Sequence, residues 1–208
     1  MIDYEVIKNC DFPILKVNGF LSDIQLKLAK DEVIKLASEA VKTDEEVREY
    51  DRVFLDERYQ GHREDSDILW IVQENLFSTE MKEIYESIRD TSFKLISNSS
   101  WHESQLTFYG NTHGYGWHTD AVLNRVINWV LYININGDFT GGENQISNDL
   151  YDVGNQQPYN IDISTPPKDN MLIMMPSWIT HRVTPVFCNH KDKLRSRITI
   201  NGHIGFAQ

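Results

Sequence analysis

Val126-Ile127-Asn128-Trp129-Val130-Leu131-Tyr132-Ile133-Asn134-Ile135 alternates with a period of two, and its reading decides the fold. Successive side chains of a strand point to opposite faces. Ile127, Trp129, Leu131, Ile133 and Ile135 therefore share one face, and Asn128, Val130, Tyr132 and Asn134 the other. Gln105 to Tyr109 and Arg197 to Ile200 alternate in the same way, and Met171 to Met175 is a compact apolar run suited to a buried strand. Asn136-Gly137-Asp138 and Gly141-Gly142 punctuate these runs as turns. Several short strands of this kind predict an antiparallel barrel or jelly roll.

The residues before about 98 read differently. Ser22 opens a capping box with Gln25, and Ile24, Leu28, Val33, Leu36, Ala37 and Ala40 roughly mark an apolar face. Ser78 can cap a helix whose Met81, Ile84, Tyr85, Ile88 and Leu95 recur at helical spacing, and a shorter helix is expected around Ile68 to Leu76. Residues 43 to 67 are rich in both signs of charge and read as a solvated loop or a lid over a site. The stretch from Glu143 to Asn170 is polar and contains Pro158, Pro166 and Pro167, a mix of edge strand and loop. The expectation is one α+β domain, with helical support over 1–98 packed on one sheet of a barrel core over 99–208.

Gly116-Trp117-His118-Thr119-Asp120 carries the chemistry. Residues at i and i+2 of a strand share a face, so His118 and Asp120 can converge on one ion while Thr119 points away. His181, in Pro176-Ser177-Trp178-Ile179-Thr180-His181-Arg182-Val183, would bring a second imidazole from a distant strand. Two imidazoles and one carboxylate hold one face of Fe(II) and leave the opposite positions open. Zinc can also take such a set. Arg182 follows His181 and so faces away from it, in a structural place. His62, His102, His113, His190 and His203 lack a ligand-like pairing and read as surface or structural.

The second half resembles the Fe(II)- and 2-oxoglutarate-dependent oxygenase superfamily, in particular its prolyl-4-hydroxylase-like branch. The phrases that carry the resemblance run in order from Tyr109 through Trp117-His118-Thr119-Asp120, Trp129 to Asn134, Gly141-Gly142-Glu143, Met175 to Val186, and Arg197-Ile198-Thr199-Ile200-Asn201-Gly202. The resemblance implies a double-stranded β-helix (a jelly roll, cupin-like) with metal ligands His118, Asp120 and His181. It further implies Fe(II), 2-oxoglutarate and O2 as cofactors, with hydroxylation of an unactivated C–H bond as the reaction. A guanidinium pairs bidentately with the far carboxylate of 2-oxoglutarate and keeps its proton. Aligned on the family's Arg-x-Ser/Thr-x-x-Gly pattern, that residue is Arg197, with Thr199 beside it and Arg195 as the rival. Tyr132 and Tyr109 stand where the family places co-substrate tyrosines, and core aromatics would look the same. His203 stands where relatives usually carry tryptophan, a departure expected to alter the pocket wall. By the resemblance the substrate is a prolyl residue of a protein or peptide. A free amino acid or other small molecule is the alternative, as is a non-catalytic 2-oxoglutarate sensor.

The composition bounds these readings. A chain of 208 residues supports one sizeable core, and 40% hydrophobic with 25% charged residues is a globular profile. The net charge of −11 disfavours a nucleic-acid partner, and no apolar run is long enough for a bilayer. Two cysteines, Cys10 and Cys188, fit a reducing compartment, and Met1 to Glu5 lacks the features of a secretory signal, so a cytoplasmic location is expected.

Overall fold

A computed structural model of the chain describes residues 2–7, 12–42, 50–55, 66–96, 99, 101–122, 124–149 and 160–206. The first part of the chain supplies β1 (Asp3–Ile7), β2 (Ile14–Asn18), α1 (Asp23–Leu36), β3 (Val41–Lys42), β4 (Asp51–Phe54), α2 (Asp67–Leu76), α3 (Thr79–Ser87) and α4 (Thr91–Ile96). The second part supplies β5 (Trp101–Tyr109), β6 (Tyr115–His118), β7 (Arg125–Ile133), β8 (Thr140–Gly141), β9 (Asn144–Ser147), β10 (Ile163–Thr165), β11 (Met171–Pro176), β12 (Thr180–Val183), β13 (Val186–Phe187) and β14 (Arg197–Gly205). The strands form a major sheet ordered β1-β2-β11-β7-β14-β5-β4-β3 and a minor sheet ordered β10-β9-β12-β6, with β13 and β8 as a separate pair. Every pairing is antiparallel, as a jelly roll requires.

The alternation of β7 sorts the molecule into layers. Ile127, Trp129, Leu131 and Ile133 pack with Leu106, Phe108, Ile198 and Ile200 against the buried faces of the helices. On the other face, Val130 and Tyr132 join Met171, Ile173 and Met175 in a second core with Ile146, Ile163 and Ile179 between the sheets. The helices thus cover one face of the major sheet, and the minor sheet covers the other. Burying side chains such as Leu131 on the helix side stabilises by roughly 1.5–3 kcal/mol each.

The helical part departs from its sequence reading in four places. Ile24 is 75% exposed, because the buried face of α1 runs through Ala29, Val33 and Leu36. At about 100° per residue, a position five before Ala29 lies some 140° around the helix. The single helix expected from Ser78 breaks after Ser87: Ile88 is extended, and Asp90 accepts from the Ser92 amide at 2.8 Å to start α4 afresh. β1 and β2, unread in the sequence, extend the major sheet beside β11. Part of the charged stretch, Asp51–Phe54, is strand β4 against β5, whereas 43–49 and 56–65 lie outside the described residues, as do Cys10, His62 and, within the polar stretch, 150–159.

Buried Glu32 ties α1 to α2: its carboxylate accepts from Ser66 Oγ at 2.9 Å and from the Ile68 amide at 2.6 Å, at the N-terminus of α2. Among the described residues no helix is long and apolar enough to cross a membrane.

Candidate metal centre

His118 ends β6 and faces His181 of β12 as its cross-strand partner. Their rings lie 4.2 Å apart, centroid to centroid. Asp120 is not on the strand, which stops at His118. Its place is fixed from the following loop, where its amide donates to the Ser177 carbonyl at 2.8 Å. One ligand atom from each of His118, Asp120 and His181 lies within 4.8 Å of the others, a cluster that can close on one ion.

Both imidazoles are oriented alike. Nδ1 of His118 donates to the Gly116 carbonyl at 2.7 Å, and Nδ1 of His181 donates to the Ile179 carbonyl at 2.9 Å. With that proton on Nδ1, each Nε2 is turned toward Asp120, 3.8 Å from His118 and 3.3 Å from His181. Tyr115 stacks on the outer face of the His118 ring, with centroids 3.6 Å apart, and blocks its rotation. Burial would raise the Asp120 carboxyl, but the hydrogen bond from His181 and the charges of His203, His181 and His118 outweigh it and hold it well below the usual range. Burial pushes His181 down while the hydrogen bond and charge of Asp120 push it up, and the net direction is up.

A cavity of about 520 Å³ opens from this cluster, with the inner face of the major sheet as its floor. The register lays this face of the sheet out in cross-strand rows. Asn128, His203 and Glu103 form the row beside the metal ligands, and the Asn128 amide nitrogen lies 3.1 Å from His181 Nε2. Val130, Asn201 and Gln105 follow, then Tyr132, Thr199, Thr107 and Arg52, and finally Arg197 beside Tyr109.

Arg197 is 1% exposed. Its Nε donates to the Gly142 carbonyl at 2.7 Å, while Nη1 has no hydrogen-bond partner. The guanidinium carbon sits 4.6 Å from the centre of the Tyr109 ring and 5.1 Å from that of Tyr132, a cation held between two aromatic rings. The Tyr132 hydroxyl faces Arg197 and Asn144, and its oxygen also has no hydrogen-bond partner of proper geometry. Two buried donors left open side by side suit a carboxylate. Burial raises the hydroxyl pKa of both tyrosines, against the lowering effect of Arg197, so both remain donors. Thr199 lines the cavity with its hydroxyl 2.5 Å from that of Thr107. Tyr132 does not line this cavity and backs Arg197 from a smaller cleft behind it.

Arg195, the rival read from the sequence, lies in a 3-10 turn before β14 and pairs with Asp138 at the surface. The strand starts only at Arg197, so the alternation does not reach back to it. Arg182 spreads over the Trp117 ring at 4.7 Å and binds Gln145 at 2.7 Å, away from the cluster. His113 accepts from the Gly110 amide at 3.2 Å and His190 contacts the Asp138 carbonyl at 3.1 Å, both structural places. His203, grouped in the sequence with the surface or structural histidines, stands on the pocket wall, where the comparison with the relatives' tryptophan puts it. It lines the cavity, with Nε2 3.6 Å from Glu103 Oε1, because β14 continues to Gly205 and keeps odd-numbered residues inward. Tyr50 and Tyr115 also line the cavity and were unread; Tyr50 lies 5.0 Å from the Tyr109 ring.

Residues 104–205 match the family model described as the 2OG-Fe(II) oxygenase superfamily. Among solved structures, a prolyl-4-hydroxylase of Pseudomonas putida superimposes with a TM-score of 0.66 at 15% identity, covering 95% of this chain and 94% of that one. The viral collagen prolyl hydroxylase of Paramecium bursaria Chlorella virus-1, solved with 2OG, gives 0.56 at 16% identity over 93% of this chain and 96% of that one. An oxidoreductase of the 2OG-Fe(II) oxygenase family from Burkholderia pseudomallei gives 0.55 at 15% identity, covering 92% and 84%. Likeness at such identity shows a shared fold. No curated protein matches the chain by sequence.

Proposed function

Because the chain belongs, through residues 104–205, to the 2OG-Fe(II) oxygenase superfamily, whose members are iron dioxygenases that use 2-oxoglutarate and O2, we propose that it hydroxylates an unactivated C–H bond. His118, Asp120 and His181 would hold the iron, and Arg197 the far carboxylate of 2-oxoglutarate. The observation that carries this reading is the buried guanidinium of Arg197, with Nη1 open, in the cavity onto which the three ligand groups converge. A zinc hydrolase has no use for such an arginine.

Bound iron supplies the activation of O2, coupled to conversion of 2-oxoglutarate to succinate and CO2. The chain's own residues bind and orient. Gly116 and Ile179 aim the two imidazoles through their carbonyls, and Tyr115 stops His118 from turning. Tyr109 and Tyr132 pack their rings against the guanidinium, and Thr199 lines the wall next to it. Tyr50, Tyr109 and Tyr115 pack together as an aromatic section of the cavity wall.

A prolyl residue of a protein or peptide is the first substrate class, supported by neighbours in fold that are named prolyl hydroxylases. A free amino acid or other small molecule is the second, favoured by the charged pair Glu103–Arg125 on the cavity wall. The test is mass spectrometry for a gain of one oxygen on peptides and free amino acids incubated with protein, Fe(II), 2-oxoglutarate and air. Succinate release that depends on Fe(II) is expected, and a complete absence of 2-oxoglutarate consumption with every candidate overturns the reading.

A further inference from the structure

The half of the cavity next to the metal ligands is walled by charge. Glu103 is buried and paired with Arg125 Nη2, and His203 Nε2 lies 3.6 Å from the same carboxylate oxygen. All three line the cavity. The neighbouring floor positions, Asn128, Asn201 and Gln105, are polar as well, and Val130 is the apolar exception. Where the resemblance implies a tryptophan, this wall carries His203.

We propose that Glu103 and Arg125 are the receptor for the charged head of a free α-amino acid, with its ammonium on Glu103 and its carboxylate on Arg125. The proposal rests on the hydroxylase reading and names the substrate class of that same site.

Position is the first argument. Glu103 stands in the cross-strand row of His203 and Asn128, beside His181, whereas Arg197 lies six residues away on β14. Six residues of strand span about 20 Å. Between α-carbons that distance puts the pair at the metal end of the cavity and Arg197 at the other, so the pair borders the space where a substrate meets the metal face rather than the grip on the far carboxylate of 2-oxoglutarate.

Energetics is the second. A buried ion pair is a poor device for stability, because desolvation offsets most of the attraction, and apolar residues of similar volume do as well or better. A pair retained on a cavity wall gains its use when a ligand with two opposite charges lies against it. An α-amino acid has that form: ammonium and carboxylate on one carbon, each meeting the opposite charge of the wall. A residue within a polypeptide offers neither charge, and it would leave Glu103 and Arg125 desolvated without gain. The head group held there projects the aliphatic side chain into the space beside His118 and His181.

The test uses the full chain loaded with Fe(II) and 2-oxoglutarate in the absence of O2, so that binding is read without turnover. Each of the common L-amino acids is titrated by calorimetry and by thermal shift, next to its N-acetyl amide and to the carboxylic acid that lacks the amine. At least one free amino acid is expected to bind, with its blocked form and its deamino form each weaker by tenfold or more. Glu103→Gln should erase the preference for the amine while 2-oxoglutarate affinity stays within twofold, and Arg125→Gln should erase the preference for the free carboxylate. If a variant fails to fold, the blocked and deamino ligands on the unaltered protein still decide. Binding of a blocked prolyl peptide as tight as that of every free amino acid, with 2-oxoglutarate bound normally, overturns the proposal and leaves the hydroxylase reading standing. Failure of the protein to bind Fe(II) and 2-oxoglutarate at all overturns both.

Discussion

Gly142 and Arg197 fit each other as a hand fits a rail: the Gly142 carbonyl accepts from Arg197 Nε at 2.7 Å, and a Cβ on Gly142 would stand 2.6 Å from Arg197 Cδ. Gly142 also has a φ of +68°, where any other residue is strained. Gly142→Ala should therefore push the guanidinium off its seat between Tyr109 and Tyr132. The αL penalty alone is about 1–2 kcal/mol. Affinity for 2-oxoglutarate is expected to fall by tenfold or more, read by calorimetry, with metal affinity within a few-fold of the unaltered protein. Unchanged 2-oxoglutarate affinity would show that Arg197 is not its anchor.

Arg197→Ala tests the anchor directly. Removing one partner of a buried charge pair costs on the order of 2–5 kcal/mol, so 2-oxoglutarate affinity should drop roughly 30- to several thousand-fold. Arg197→Lys should recover only part of the loss, since an ammonium cannot reproduce the planar fork. Arg195→Ala serves as control. Its guanidinium is at the surface on Asp138, and an exposed pair contributes little. Loss of 2-oxoglutarate binding in the Arg195 variant, with binding kept in the Arg197 variant, would reverse the assignment.

How far the sequence revealed this site depended on how local each signal was. The alternation of Ile127 to Ile133 and the i, i+2 spacing of His118 and Asp120 are local, and the sheet faces follow from the first; Asp120 reaches the cluster from the loop after β6, and His181 joins it only through the pairing of β12 with β6. The choice between Arg195 and Arg197 needed the start of β14, which is set by a 3-10 turn that the alternating pattern hides. His203 was legible in principle, since it shares the parity of Arg197 and Thr199. The family comparison places it on the pocket wall, whereas the alternation read over Arg197 to Ile200 stops short of it. Tyr50 sits at the margin of a charge-rich stretch, and its place against Tyr109 comes from the pairing of β4 with β5, a contact between segments far apart in the chain. β1 carries little apolar burial, so its residues gave no period to read.

Glu32→Gln probes the link between helices α1 and α2. The carboxylate satisfies two donors at once, Ser66 Oγ and the Ile68 amide. A glutamine keeps one acceptor and turns an NH2 group toward the other donor. Leaving one buried group unsatisfied costs about 1–3 kcal/mol, a fall in Tm of roughly 2–12 °C for a chain of this size. Denaturant melts should show the loss, and 2-oxoglutarate affinity should not change, because α1 and α2 lie on the far side of the major sheet. An unaltered melting curve would mean that the contact carries no stability.

The last prediction concerns protons at the metal ligands. In the metal-free protein His181 is raised above its ordinary 6.5, against the pull of burial, by the hydrogen bond and charge of Asp120, which is itself lowered below 3.8. The raised histidine stabilises the metal-free fold fully below pH 6.5, and that contribution is lost as pH rises through its folded value. The lowered carboxyl stabilises above pH 3.8, and its contribution is lost only as pH falls through its folded value. Between the two, the metal-free site keeps a proton on His181 facing Asp120. A metal needs the Nε2 lone pair, so binding must release that proton, and apparent affinity should fall about tenfold for each pH unit below the folded value of His181. Titration with Co(II) or Mn(II), which tolerate air better than Fe(II), should show affinity climbing with pH from 6 and levelling once His181 is neutral. Asp120→Asn removes the partner that raises His181, so the levelling point should move to lower pH while the maximal affinity drops. Alanine at His118, Asp120 or His181 should strip metal content and abolish turnover. Full metal occupancy and activity in Asp120→Ala, or an affinity that does not vary between pH 6 and 8, would take the carboxylate out of the site.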